Sequence, residues 1–355
     1  MGEAQLTRCV SPTIGARNWS TYTVLGFVGY VVASAVGAAL AMRWNLALGE
    51  RLVALIAPPS AFVVAITLAT AIKGREWIVF YQALFAAVGV VVVAALLTHG
   101  RLWRELDVTV VGIGTFLVFG RIGCFQVACC HGRPSRRGVV YGAAHVTAGF
   151  WPRWEGRRLF PIQLVEAAGA GVLVVGAFVA SAEPGAATIV FGTGYAVMRF
   201  ALELFRGDVL RPYARTVSEA QWSCLATVVV CALAWPRWWT LAACLCVFVW
   251  AAVLVSRRPA RELFLPPHVL ELDQACAVVA ADPDHARRET SLGVGISCHR
   301  LPDGRMDWIL SAPHPAWSTA AAERLARDLW PAFEIVAGRA PGVVHVLVAA
   351  PAVAP

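Results

Sequence analysis

The chain has 355 residues, 58% of them hydrophobic and only 15% charged, a composition outside that of ordinary soluble domains and one that makes the bilayer the default solvent. Its formal net charge of +8, in so apolar a chain, points to anionic lipid headgroups rather than to nucleic acid, for which no motif is present. Ten cysteines are scattered through it, several inside apolar stretches, which is not the framework of a disulfide-stapled secreted scaffold.

The first twenty residues carry Glu3, Arg8 and Arg17 but no apolar core followed by a small-residue cleavage site, so the first span is expected to stay in the mature protein. A spanning helix needs about 20 mainly apolar residues, and residues 21–42 supply such a run without a charge. Further spans are expected over 52–72, 77–97, 108–130, 161–180, 187–205, 220–234 and 239–255. The last two are joined only by Trp235-Pro236-Arg237-Trp238, and 220–234 is short, so the count is seven or eight. Pro58-Pro59 is the strong helix break at mid-membrane. Trp19, Trp44, Trp77, Trp103, Trp235, Trp238 and Trp239 fall near span ends, where amphipathic rings prefer to sit.

After residue 255 the character changes. Ser256-Arg257-Arg258-Pro259 closes the last span, and a boundary near residue 260 divides a membrane part, 1–260, from a soluble part, 261–355. In the tail, 291–299, 308–311 and 343–349 read as strands and 318–329 as a helix. His285, His299 and His314 have no spacing that specifies chemistry. The expected fold is an all-α polytopic membrane protein of about 7–8 transmembrane helices with a small C-terminal α+β soluble domain.

Charges at membrane depth are the informative residues, because an arginine near a helix centre costs about 2.5–3.5 kcal/mol even on the lenient insertion scale. Arg121 lies in the fourth span, flanked by Gly120 and Gly123, with Gly112 and Gly114 further up the same helix; such glycines let a neighbour or a headgroup approach the backbone. In the sixth span Tyr195, Arg199 and Glu203 recur at four-residue intervals and share a face, with Arg206 three residues on. The bland reading is an Arg199–Glu203 pair that only ties helices together. Against it, Glu203 cannot neutralise two intramembrane arginines, and a guanidinium matches phosphate with two parallel hydrogen bonds. The loop between the fourth and fifth spans carries Arg133, Arg136, Arg137, Arg153, Arg157 and Arg158 interleaved with Tyr141, Phe150, Trp151 and Trp154, which suits the membrane–water interface. A solvated loop that merely sets topology is the alternative. Cys124, Cys129, Cys130 and His131 form a cluster for which a metal site is the alternative reading, but its spacing is not that of a zinc finger, so it reads as small-residue packing with no metal expected.

The segments Gly120-Arg121-Ile122-Gly123-Cys124-Phe125 with Gly132-Arg133-Pro134, Pro161-Ile162-Gln163-Leu164-Val165-Glu166, Tyr195 to Phe200 with Glu203, Phe205, Arg206 and Asp208, and Ser218-Glu219-Ala220-Gln221 occur in the order and spacing of a known family. Through them the chain resembles the bacterial prolipoprotein diacylglyceryl transferases, over about residues 21–234. The resemblance implies a multi-pass protein of the bacterial inner membrane. It implies transfer of a diacylglyceryl group from phosphatidylglycerol to the lipobox cysteine thiol of a prolipoprotein, with release of glycerol phosphate and no cofactor. The implied partners are phosphatidylglycerol, prolipoprotein signal peptides and membrane lipid. Arg121 and Arg199 are then expected on the headgroup phosphate, Glu203 orienting Arg199 or Arg206, and Tyr195 hydrogen-bonding lipid or substrate. Gln163 and Glu166 would line the same cavity, Gly132 would permit the turn out of the fourth span, and Arg133 would sit at headgroup level.

Three positions depart from the family pattern: Tyr81 stands where a histidine is usual, Cys124 where an asparagine is, and Phe160 where a second histidine is. They keep open a relative that transfers a different lipid group, or a non-enzymatic lipid-binding scaffold for the tail. The family places the N-terminus and the arginine-rich loop on the periplasmic side, against the positive-inside tendency. With eight spans the tail is periplasmic and with seven it is cytoplasmic.

Overall fold

The computed structural model describes residues 12–15, 18–74, 80–209 and 211–349. Glu3, Arg8, Arg17 and Trp77 lie outside the described residues. The chain is a polytopic helical membrane protein with a small sheet-containing C-terminal region, and its contacts divide it into two compact units, Met1–Arg206 with Ala220–Phe248, and Gly207–Glu219 with Val249–Pro355.

The membrane helices are α1 (Thr21–Arg43), α2 (Leu48–Lys73), α3 (Phe80–Thr98), α4 (Leu102–Gln126), α5 (Ile162–Ala180), α6 (Ala186–Leu202), α7 (Glu219–Ala234) and α8 (Trp238–Ser256). Among the described residues seven are long and apolar enough to cross a membrane; α7, at 16 residues, is shorter. Two expectations need correction. Pro58 and Pro59 do not break the second span: α2 runs through both and stops only at Gly74, whose φ of 65° is left-handed. The fourth helix starts six residues before the expected residue 108, at Leu102, and takes in Glu105 and Asp107, both fully buried. Hydropathy stops at a carboxylate, whereas Asp107 is satisfied by tertiary partners. It accepts from the Gly185 amide at 2.7 Å and from the Thr188 amide and hydroxyl at 2.9 and 2.8 Å, so it caps the start of α6.

Close approach of helices rests on missing side chains. A Cβ at Gly29 of α1 would lie 2.7 Å from Phe119 of α4, and one at Gly114 of α4 would lie 2.5 Å from Phe191 of α6 and 2.8 Å from Val174 of α5. Thus α4 is gripped from opposite sides. At the end where α4 begins, Arg101 pairs with Glu50 at 2.8 Å and donates to the Asn45 carbonyl at 2.8 Å, while Arg104 reaches the Ser181 and Ala182 carbonyls. These contacts tie together three helix connections.

Between α4 and α5, β1 (Pro134–Val140) pairs with β2 (Arg158–Leu159) over a small core of Phe125, Ala128, Val139, Tyr141, Phe150, Trp154 and Leu159. This corrects the reading of the loop aromatics as interfacial anchors: Tyr141, Phe150 and Trp154 are buried inside the loop's own core. Arg157 stacks on the Trp154 ring at 4.9 Å.

In the tail, β3 (Arg287–Glu289), β4 (Gly295–Arg300), β5 (Met306–Ser311), β6 (Glu334–Ala337) and β7 (Val343–Val348) form one antiparallel sheet in the order β6-β7-β5-β4-β3. Alternate residues Ile296, Cys298, Trp308, Leu310 and Val346 are buried with Leu272, Cys276 and Val279 of α9 (Pro266–Ala281) and Leu325 and Leu329 of α10 (Thr319–Leu329). The α+β expectation holds, and Ser318 caps α10 by accepting from the Ala321 amide at 3.1 Å. Helix α9 and strands β3 and β6 were not expected. Residues 291–293 turn rather than extend, with Gly293 at φ 76°. His285 and His299 make surface pairs with Asp282 and Asp284 at 3.0 and 3.3 Å.

Candidate active site

Four segments bring their charges to one buried point. Arg121 comes from the last turns of α4, Glu166 from the first turn and a half of α5, and Tyr195 and Arg199 from α6. Glu203 and Arg206 follow from the 3-10 turn Glu203–Phe205 that extends α6. Gly114 faces α5 and α6, and Arg121, seven residues further on, returns to the same face of α4.

Glu166, fully buried, is the hub. Its Oε1 accepts from the Tyr195 hydroxyl at 2.7 Å and lies 3.1 Å from Arg121 Nε and 3.5 Å from Arg199 Nε; its Oε2 lies 3.9 Å from Arg206 Nη1. Arg199 also holds Glu203 at 2.6 Å across one helical turn. All six residues are at most 7% exposed, a depth at which unpaired charge is prohibitively costly. In this group three guanidiniums stand against two carboxylates, so its formal balance is +1.

The sequence places the members correctly on shared faces but makes Glu166 a lining residue. Its central position, partnering Arg121, comes only from packing α5 between α4 and α6. The other expected residues lie around this hub. Gln163 donates from Nε2 to the Cys129 carbonyl at 2.8 Å. Gly132 pairs with Arg206 in an isolated bridge, the Arg133 amide donates to the Phe205 carbonyl, and Arg133 Nε donates to the Arg206 carbonyl, each at 3.0 Å. A Cβ at Gly132 would stand 2.4 Å from the Phe160 carbonyl. Gly132 is therefore required by close backbone approach, while the left-handed residues of the turn are Ala128 and Cys130, at φ 58° and 54°.

The departures from the family pattern are also accounted for. Tyr81 is buried with its hydroxyl 3.1 Å from Cys224 Sγ, within the electrostatic reach of Tyr195 and Arg199. Phe160 packs on Phe205, ring centroids 5.7 Å apart. His131 is buried against the rings of Phe150 and Trp154, with Nδ1 2.9 Å from the Gly132 carbonyl. Sequence reasoning missed the pairing of Tyr81 with Cys224, which no local signal announces. Of the cluster that the sequence groups together, Cys124, Cys129 and Cys130 do meet, their sulfurs lying within 4.8 Å of one another, and His131 does not join them.

Residues 77–239 match the family model of prolipoprotein diacylglyceryl transferase. A similar curated protein is the phosphatidylglycerol–prolipoprotein diacylglyceryl transferase of Aromatoleum aromaticum, 30% identical over 151 residues, which cover 39% of this chain and 55% of the relative. The chain thus spans about half the length of the curated relative it matches. The matched segment contains all of Arg121, Glu166, Tyr195, Arg199, Glu203 and Arg206, and it is through that segment that the chain is similar to the prolipoprotein diacylglyceryl transferases.

Proposed function

We propose that the membrane part is an inner-membrane enzyme that transfers a diacylglyceryl group from phosphatidylglycerol to the lipobox cysteine thiol of prolipoproteins. The observation that carries this reading is the buried Glu166 hub with its three arginines, inside the segment that matches the family. In the reaction the acceptor sulfur forms a bond to the glyceryl carbon, that carbon's bond to the phosphate ester oxygen breaks, and glycerol phosphate leaves with the electron pair. The thiol proton passes to solvent as the thiolate forms.

The excess positive charge of the group suits a phosphate whose charge grows as it leaves, so arginines here stabilise the transition state more than the bound lipid. Arg121 and Arg199 are assigned to that phosphate. Glu166 and Glu203 hold the guanidiniums in place, and Tyr195, which donates to Glu166, positions the hub. Arg206 with Gly132 and Arg133 forms the adjoining wall of the lipid site, and Gln163 holds the segment at Cys129. The tail, 261–355, is an added soluble domain that selects substrate or partner.

The test is to incubate the purified protein with phosphatidylglycerol and a lipobox peptide and to weigh the cysteine-bearing product. A diacylglyceryl increment on the cysteine is expected. An unmodified peptide, with lipid and protein intact, overturns the reading; an increment of another mass identifies a different lipid donor.

A further inference from the structure

We propose that Cys124, Cys129 and Cys130 form a three-thiolate site for a divalent ion of zinc type, whose fourth position takes the acceptor thiol; the last clause rests on the transferase reading above. The three sulfurs come from two places. Cys124 sits in the last turn of α4, and the chain doubles back after Gln126 to bring Cys129 and Cys130 onto it, so that all three lie within 4.8 Å of one another. A zinc–sulfur bond is about 2.3 Å, so sulfurs around one tetrahedral ion stand roughly 3.8 Å apart, which small side-chain rotations here supply. The doubling back is made by two non-glycine residues in the left-handed region, Ala128 at φ 58° and Cys130 at φ 54°. An ordinary turn would place glycine or asparagine there. The Cys129 carbonyl is held by Gln163 at 2.8 Å, which fixes the loop against α5.

The arginines of the Glu166 group lie close by: Arg121 is one helical turn before Cys124 on α4, and a positive field stabilises a sulfur anion. Three thiolates around a divalent ion carry a net charge of about −1, and a fourth thiolate brings it to about −2. The adjacent arginine–glutamate group is positive by one and so offsets part of that charge. His131 is not a fourth ligand: only the three cysteines meet among the described residues, and its ring is packed against Phe150 and Trp154. Each cysteine that binds gives one proton to solvent, and a thiol taken as fourth ligand does the same and is held deprotonated. This supplies the nucleophile at a site where neither Tyr81 nor Phe160 provides an imidazole, one helical turn from Arg121.

The test uses the full-length protein, reduced, metal-free and in detergent, titrated with Co²⁺ as a spectroscopic probe and with Zn²⁺ in competition. One Co²⁺ per chain with thiolate-to-cobalt charge-transfer absorption is expected, displaced by Zn²⁺. Zn²⁺ should slow alkylation of Cys129 and Cys130, read by peptide mass, while leaving Cys244 and Cys246 unchanged. Cys129→Ser should weaken binding at least tenfold, and Cys246→Ser should not. No charge-transfer band, or equal alkylation with and without Zn²⁺, overturns the site, as does a disulfide within the trio that on reduction yields no metal affinity. Adding a lipobox peptide should shift the cobalt spectrum, and the same peptide with serine in place of cysteine should not; equal spectra overturn the fourth-ligand assignment. None of these readouts needs lipid transfer. A failed transfer assay beside a positive titration therefore removes the enzyme reading and leaves the metal site standing.

Discussion

At the scale of single residues, the buried charges separate chemistry from support. Arg121 and Arg199 share the Glu166 carboxylate, so removing one leaves Glu166 with other guanidiniums nearby. Arg121→Ala and Arg199→Ala are each expected to lower transfer at least a hundredfold, with the protein still recovered from membranes in normal amount. The loss should lie in the turnover number, as for groups that act on the departing phosphate. Lysine at either place should restore little, since a point charge does not reproduce paired hydrogen bonds. Near-normal turnover in either alanine variant would remove the phosphate assignment. Glu166→Gln should behave differently: it leaves three buried guanidiniums with one carboxylate partner, and breaking such a pair costs about 3–5 kcal/mol. Its expected signature is loss of folded protein on detergent extraction, together with loss of activity.

Among the elements, the contact between α4 and α6 rests on Asp107, which sequence reading places outside the fourth span. Asp107→Asn keeps the shape but loses the charge that faces the start of α6 and one acceptor geometry. A loss of about 1–2 kcal/mol is expected, from the usual worth of a cap and its helix-dipole interaction. It would appear as earlier thermal unfolding, with substrate affinity unchanged in the surviving protein. Gly132→Ala should do more harm than its small size suggests. Its methyl would need the space of the Phe160 carbonyl at 2.4 Å, pushing the segment that carries Arg133 away from the one that leads from Phe160 into Gln163 and Glu166. Insertion into the membrane should persist while transfer falls sharply. Unchanged transfer would show that this close approach is not needed by the site.

For the molecule as a whole, the tail carries its own core, beginning at Leu263 and including the sheet, α9 and α10. Truncation after Arg258 is therefore expected to leave insertion and peptide modification intact, and intact prolipoproteins to be modified less selectively; loss of peptide modification by a well-inserted truncated chain would place part of the active site in the tail. The tail also has a pH signature. His268 is buried, 2.8 Å from the Leu263 carbonyl and 3.0 Å from the Thr290 hydroxyl, and burial pulls its pKa below the ordinary value of 6.5. The unfolded chain then takes up a proton below pH 6.5 while the folded one stays neutral, so the unfolded state gains as pH falls and stability is lost in that direction. Melting of the tail should drop from pH 7 to pH 5.5, and His268→Gln should flatten the slope. An unchanged slope would mean that other groups govern it.

Composition and the lengths of uncharged runs were enough to determine a polytopic helical protein with a compositionally distinct tail, because a bilayer requires about 20 apolar residues per crossing. The four-residue spacing of Tyr195, Arg199 and Glu203 likewise showed one polar helix face, since periodicity is a local property. Helix starts at buried carboxylates were not legible, because Glu105 and Asp107 read as boundaries until their partners are in place. Nor was α9, whose Pro266-Pro267 start resembles a linker although Leu272, Cys276 and Val279 lie inside the tail's core. The hub at Glu166, the pairing of Tyr81 with Cys224 and the meeting of three thiols join residues from separate helices or doubled-back chain, and only tertiary packing, which satisfies buried charge through distant partners, decided them.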